Sequence, residues 1–151
     1  MKILFVNQFF YPDHSAVSQQ LTDLAEDLSA AGDQIRVVCG RGSYSGGLAK
    51  EAQESYRGIE IRRVGSTGFG RNSMIGRISD MAAFYLSATW AILWGPRPDL
   101  LYIVSTPPLL CVAGLMVARL RKLPVVYGIH DLYPDIAVAL GVLRPRSWLT
   151  R

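Results

Sequence analysis

Four short runs of apolar residues constrain most strongly what this chain can fold into. They are ILFVN (3–7), IRVVC (35–39), LLYIVS (100–105) and VVYGI (125–129). Continuous apolar runs of this length are typical of strands that are buried on both faces of a sheet. Segments with helical spacing of apolar residues lie between them. The pattern therefore predicts a mostly parallel sheet with helices packed on both sides.

The segments between these runs predict the remaining elements. We expect helices near 16–31, 73–94, 109–120 and 135–140, and a half-exposed strand near a sheet edge at 59–64. The Gly-rich stretch from 41 to 58 is long for a connection and is interpreted as a mobile or functional loop. Right-handed crossovers between such units predict an α/β domain, Rossmann-like and doubly wound.

The composition is that of one folded domain. The chain has 151 residues, of which 50% are hydrophobic and 19% charged, and this balance excludes a disordered chain. The net charge of +4 suits an anionic ligand or membrane surface without requiring either. No metal-ligand spacing is present among the two cysteines and two histidines, Cys39, Cys111, His14 and His130, so we expect no bound metal. We expect both thiols to be reduced, which indicates a cytoplasmic location.

Neither the start of the chain nor its longest apolar segment predicts a membrane span. The first residues lack the cleavage site of a signal peptide. Arg77 and Asp80 interrupt the apolar segment 74–95, which we interpret as a buried or interfacial helix. The chain stops at Arg151 without a closing strand or helix, and we expect it to be part of a longer protein.

Polar residues follow the first and last apolar runs. In VVYGIHDLYPDI (125–136), His130 and Asp131 are the best candidates for chemistry, with a structural loop contact or helix cap as the alternative. In NQFFYPDHS (7–15), His14 and Ser15 precede a helix and suit either an anion or a plain cap. Asp13 and Asp135 are interpreted as caps. Because parallel strands end at one edge of a sheet, we expect both clusters to lie there.

Six arginines are predicted to fall mostly in loops on one side of the fold, at positions 41, 57, 62, 63, 71 and 77. A solvated basic face is the default interpretation, and an electropositive rim for a lipid diphosphate is the alternative. No strand or helix interleaves aromatic and basic residues in the manner of a nucleic-acid binder, so no nucleic-acid partner is expected.

Several nucleotide-binding and hydrolase motifs are absent. The first run is followed by NQFFYPDHSAVS and not by a G-x-G-x-x-G fingerprint. The sequence also has no P-loop and no G-x-S-x-G nucleophile elbow. These absences exclude the usual dinucleotide, P-loop and α/β-hydrolase interpretations.

Three segments carry a resemblance to a known family. The chain resembles the retaining GT-B glycosyltransferases in its first 40 residues and in two later segments, RPDLLYIVSTPPLLCVAGLMVARL and VVYGIHDLYPDIAVALGVL. The likeness is greatest to the group of WbuB-like fucosamine transferases and colanic-acid glycosyltransferases. It implies that residues 1–151 are the N-terminal acceptor-binding domain, ending before a C-terminal domain that binds the nucleotide-sugar.

The resemblance implies a function and a set of site residues. We expect transfer from a UDP- or GDP-sugar, without a cofactor, to a lipid-linked or saccharide acceptor in bacterial lipopolysaccharide, capsule or exopolysaccharide synthesis. This would occur in the cytoplasm, with peripheral contact at the inner membrane face. His130 and Asp131 are the expected catalytic residues. The expected acceptor-binding residues are His14, Ser15, Ala16, Arg71, Ser105 and Thr106. The alternative is a non-catalytic docking subunit of a split glycosyltransferase.

Overall fold

The apolar runs form strands of one sheet. The computed structural model describes residues 1–42, 51–65, 74–105, 107 and 110–130. The elements within these residues are β1 (Lys2–Val6), α1 (Ala16–Ala30), β2 (Gln34–Gly40), β3 (Gln53–Tyr56), β4 (Ile59–Val64), α2 (Met74–Trp94), β5 (Leu100–Val104), α3 (Leu110–Arg121) and β6 (Val125–Gly128). The strands lie in the order β3-β4-β2-β1-β5-β6, and β3–β4 is the antiparallel pair. The predicted α/β Rossmann-like fold is confirmed.

Two apolar cores lie on opposite faces of the sheet. On one face, Phe5, Val37 and Ile61 pack with Leu21 and Ala25 of α1. Side chains of the same strands alternate, so the neighbouring residues supply the other core. That second core joins α2 and α3 to the sheet through Leu4, Val6, Val38, Ile103, Phe84, Ile92 and Val117. Each buried Leu, Ile or Phe side chain contributes about 1.5–3 kcal/mol relative to an exposed one, so these two layers hold the fold.

Helix α1 begins and ends where the sequence predicts. Ser15 is its N-cap, and its Oγ accepts a hydrogen bond from the Ser18 backbone N–H at 3.3 Å. At the other end, Gly32 has φ +96°, a conformation that glycine adopts without a Cβ penalty. The N–H of Asp33 then donates to the Leu28 carbonyl at 3.0 Å. Local sequence therefore fixes both ends of this helix.

Strand β3 was not predicted. Its sequence, QESY, has no apolar run, and it lies inside the stretch 41–58 that was expected to be a loop. It forms because its backbone pairs with β4 and because its side chains contact distant residues: Glu54 pairs with Arg63, and Tyr56 stacks on Tyr11. The loop prediction is therefore wrong at 53–56. Residues 43–50 and the expected helix at 135–140 lie outside the described residues.

The prediction of one arginine-rich face is also wrong for two residues. Arg57 lies in the turn before β4, at the amino end of that strand, and pairs with Glu26 of α1. Arg63 is only 3% exposed, and its guanidinium is used inside the protein. Arg62, in contrast, is exposed on the other side of β4. Alternation along the strand separates Arg62 and Arg63 onto opposite faces of the sheet.

Candidate functional site

The order of the strands reverses direction between β1 and β5. The chain leaves β1 for β2 on one side, and it later enters β5 on the other side of β1. Doubly wound sheets bind ligands outside the carboxyl ends of their strands, at this point of reversal. Asn7 directly follows β1, Ser105 directly follows β5, and His130 comes two residues after β6. We call this region the carboxyl edge.

Ser105 and His130 are brought together at the carboxyl edge. The backbone N–H of His130 donates a hydrogen bond to the Ser105 Oγ at 2.9 Å, and the Ser105 N–H donates to the Gly128 carbonyl at 2.9 Å. Ser105 is 4% exposed, whereas His130 is exposed to solvent. Ser105 therefore braces the backbone that presents the imidazole. Its expected contact with an acceptor stays a prediction.

The start of α1 lies at the same edge. His14 and Ala16 are exposed, and the Ser15 hydroxyl is engaged as the helix N-cap. The capping alternative for Ser15 is thus confirmed. The first N–H groups of a helix carry a partial positive charge, which favours an anion at this position. Acceptor binding by His14, Ser15 and Ala16 stays a prediction.

Asn7 is a candidate that the sequence interpretation missed. It is 1% exposed, and its Nδ2 donates to the Phe9 carbonyl at 2.6 Å. Its Oδ1 has no hydrogen-bond partner among the residues that the structure describes. A buried carbonyl oxygen of this kind is costly unless a donor reaches it. The sequence signal that could have identified Asn7 is its position as a polar residue directly after a buried strand.

Arg63 is the second residue whose role was missed. Its Nη2 donates to the Tyr11 carbonyl at 2.8 Å and also pairs with Glu54. Its Nη1 lies 3.2 Å from the Cys39 sulfur. The guanidinium thus connects β3 and β4 with the loop that leads to His14. No sequence signal indicates this role, because an arginine in a half-exposed strand usually faces solvent.

Three predicted site residues lie outside the described residues: Asp131, Arg71 and Thr106. Among the residues that the structure does describe, no three His, Cys, Asp or Glu side chains form a group able to hold a metal ion. Two open clefts of about 460 and 530 Å³ lie away from the carboxyl edge, one beside the end of α2 and one at the amino ends of the strands. Neither cleft adjoins the reversal of strand order between β1 and β5, so we do not assign the functional site to either of them.

Comparisons with known proteins identify the family. Residues 15–151 match the sequence profile of the Glycosyl transferase 4-like domain. A solved structure of sucrose-phosphate synthase from Thermosynechococcus elongatus has a similar fold, with a TM-score of 0.58 and 13% sequence identity. The match covers 95% of this chain and 35% of that one, so the chain spans about a third of its length. A search of curated proteins returned no significant sequence match.

Proposed function

Because the chain belongs to the Glycosyl transferase 4-like domain family, we propose that it is the acceptor-binding half of a retaining, nucleotide-sugar-dependent glycosyltransferase. The observation that carries this proposal is the carboxyl edge, where Ser105 holds His130 at the strand reversal. In a GT-B enzyme a second domain would face this edge and bind the donor. The edge would then form one wall of a cleft between the two domains.

The proposed reaction has simple chemistry. The bond between the anomeric carbon and the diphosphate breaks, and the nucleoside diphosphate leaves with the electron pair. The acceptor hydroxyl oxygen forms the new bond to the anomeric carbon, and its proton passes to the leaving diphosphate. Positive charge develops at the anomeric carbon and negative charge on the leaving group, so hydrogen-bond donors placed near them lower the barrier. His130 is exposed at the edge and its backbone is fixed, which suits this role.

The remaining features of the proposal concern the substrates and the location. The donor would be a UDP- or GDP-sugar, and the chemistry requires no cofactor from this domain. The acceptor would be a lipid-linked or saccharide intermediate of bacterial surface polysaccharide synthesis. The enzyme would act in the cytoplasm, in peripheral contact with the membrane. Among the described residues, no helix has both the length and the apolar character needed to cross a bilayer.

The test is substitution of His130 by Ala in the full-length protein. We expect kcat to fall about 10²-fold, corresponding to roughly 3 kcal/mol of lost transition-state stabilisation, while the protein remains folded. Release of nucleoside diphosphate would be measured with a panel of UDP- and GDP-sugars in the presence of membrane lipid extract. His14→Ala, which also removes an exposed imidazole, is the matched control and should change acceptor KM more than kcat. Unchanged kcat in His130→Ala would remove His130 from the chemistry.

A second measurement tests the division into two domains. Residues 1–151 alone should fold but should not transfer sugar from any nucleotide-sugar, since the donor-binding half would be missing. Turnover by this chain alone would contradict the proposal.

A further inference from the structure

One side of helix α2 is apolar and exposed. Its inner side packs on the sheet through the buried residues Phe84, Ala88 and Ile92. Its outer side carries the exposed large side chains Ile75, Leu86, Trp90 and Trp94, which are between 64% and 81% exposed. The rings of Trp90 and Trp94 lie side by side, with centroids 5.6 Å apart. A helix that is apolar all round is normally buried all round, and this one is covered on one side only.

Helix α3 continues the same surface. It packs beside α2 on the sheet, and Leu110, Gly114 and Val117 form its buried side. Its outer side carries Val112, Met116 and Leu120, which recur every four residues and are at least 50% exposed. We define the α2–α3 outer face by Ile75, Leu86, Trp90, Trp94, Val112, Met116 and Leu120. Single exposed apolar residues are common, but a stripe along two adjacent helices marks an interaction surface.

Basic side chains lie beside the α2–α3 outer face. Helix α3 ends in Arg119 and Arg121, and the Nη1 of Arg121 donates a hydrogen bond to the Ile92 carbonyl of α2. Arg119 is exposed on α3. Arg62 of β4 is exposed and lines an open cleft of about 430 Å³ together with Leu86 and Trp90, so this residue lies beside the stripe. This arrangement complements a surface of negative charges above an apolar layer.

We propose that the α2–α3 outer face docks on an anionic lipid bilayer. The two helices would lie in the plane of the headgroups, with Trp90 and Trp94 at the boundary of the acyl chains and Arg62 and Arg119 against lipid phosphates. Interfacial helices that combine tryptophan with basic residues bind lipid in this way. The inference extends the proposed function by naming the surface that meets the membrane. This face takes the place of the predicted arginine-rich rim as the membrane contact, since Arg57 and Arg63 form ion pairs with Glu26 and Glu54.

The test is flotation of the purified 151-residue chain with vesicles of phosphatidylcholine and phosphatidylglycerol, and with phosphatidylcholine alone. We expect binding to the anionic vesicles that weakens as salt rises to 1 M, where the Debye length falls to about 3 Å. The double variant Trp90→Ser/Trp94→Ser should bind roughly tenfold more weakly or worse, since burial of two large apolar side chains is lost. Circular dichroism would confirm that each variant is folded.

Two matched pairs separate this face from general effects. Leu120→Ser should weaken vesicle binding, whereas Val126→Ser should not, because Val126 is an exposed aliphatic residue on the opposite face of the sheet. Arg62→Gln should weaken it more than Arg57→Gln, although both remove one positive charge.

Several results would overturn the proposal: no binding to anionic vesicles, equal binding to neutral ones, or equal effects within both pairs. Self-association lost in the tryptophan variant, without vesicle binding, would show that the face meets a second copy instead. Vesicle binding does not depend on sugar transfer, so failure of this inference and failure of the proposed function can be told apart.

Discussion

In the β4–β3 half of the sheet, side-chain contacts join the partly exposed edge strand β3 to β4 and to the loop after β1, whereas in the β5–β6 half the edge strand β6 is followed by the loop that carries His130. Buried Arg63 joins β4 to Glu54 of β3 and to the Tyr11 carbonyl, and the Tyr11 and Tyr56 rings stack with centroids 3.7 Å apart. On the other side, Val126 and Tyr127 of β6 are each 42% exposed. The hydrogen bond between His130 and Ser105 braces the loop that follows.

The difference shows how stability and function are divided within one sheet. The β4–β3 side uses the polar side chains of Arg63 and Glu54 for structure; Arg63 is buried, and the Glu54 side chain is 34% exposed. The β5–β6 side leaves the His130 side chain exposed and fixes only its backbone. A rigid scaffold with a reacting group on an adjoining loop is the common arrangement of binding and catalytic sites. Substitutions on the two sides should therefore affect stability unequally.

The largest effect is expected at Gly65, at the end of β4. Its φ is +58°, and a Cβ there would lie 2.5 Å from the Phe84 Cα of α2. Gly65→Ala combines backbone strain with a clash against a packed helix, so we expect a loss of about 3 kcal/mol or more in the free energy of unfolding. Gly32→Ala is the control, since that position also has positive φ but no atom within 4 Å of the added Cβ. It should cost only about 1–2 kcal/mol in urea denaturation.

The next effect is expected at Arg63. Arg63→Met removes the buried guanidinium and leaves the Tyr11 carbonyl and the Glu54 carboxylate without it, which should lower the free energy of unfolding by about 2–3 kcal/mol. Adding Glu54→Gln should recover part of this loss, because the unpaired charge is then removed. The neighbouring substitution Arg62→Met, on the exposed side of the same strand, should leave the melting temperature unchanged. Equal effects of the two arginine substitutions would contradict the structural role of Arg63.

The smallest effect is expected on the β5–β6 side. Ser105→Ala removes the hydroxyl that accepts from the His130 N–H and should cost about 1 kcal/mol. Hydrogen exchange at the His130 amide should become faster while exchange in β1 and β2 is little changed. Ser18→Ala serves as the control: this serine is fully buried, and its Oγ has no hydrogen-bond partner among the described residues. Ser18→Ala should leave the free energy of unfolding unchanged or raise it slightly. If Ser18→Ala lowered the free energy of unfolding more than Ser105→Ala, the assigned role of Ser105 would be contradicted.

The candidate site was predictable in part. Its position followed from the sequence, because polar residues after buried parallel strands must gather at one edge, and His130 and Ser105 do so. The contact between them could not be predicted, since it joins residues 25 positions apart in sequence. The role of Arg63 was missed for the same reason, since its contact with the Tyr11 carbonyl joins residues 52 positions apart. For Asn7, the sequence shows a polar residue after the strand but does not show that its Oδ1 is buried without a partner among the described residues.

By itself, the sequence determined the fold class, the bounds of most helices and strands, and both ends of α1. These features depend on the spacing of apolar residues and on capping groups only a few positions apart. The tertiary structure alone decided that QESY forms an edge strand, that Arg63 is buried while Arg62 is exposed, and that the outer sides of α2 and α3 are left uncovered. Each of these depends on which distant surfaces meet, because a side chain's free energy is set by the neighbours that exclude water from it.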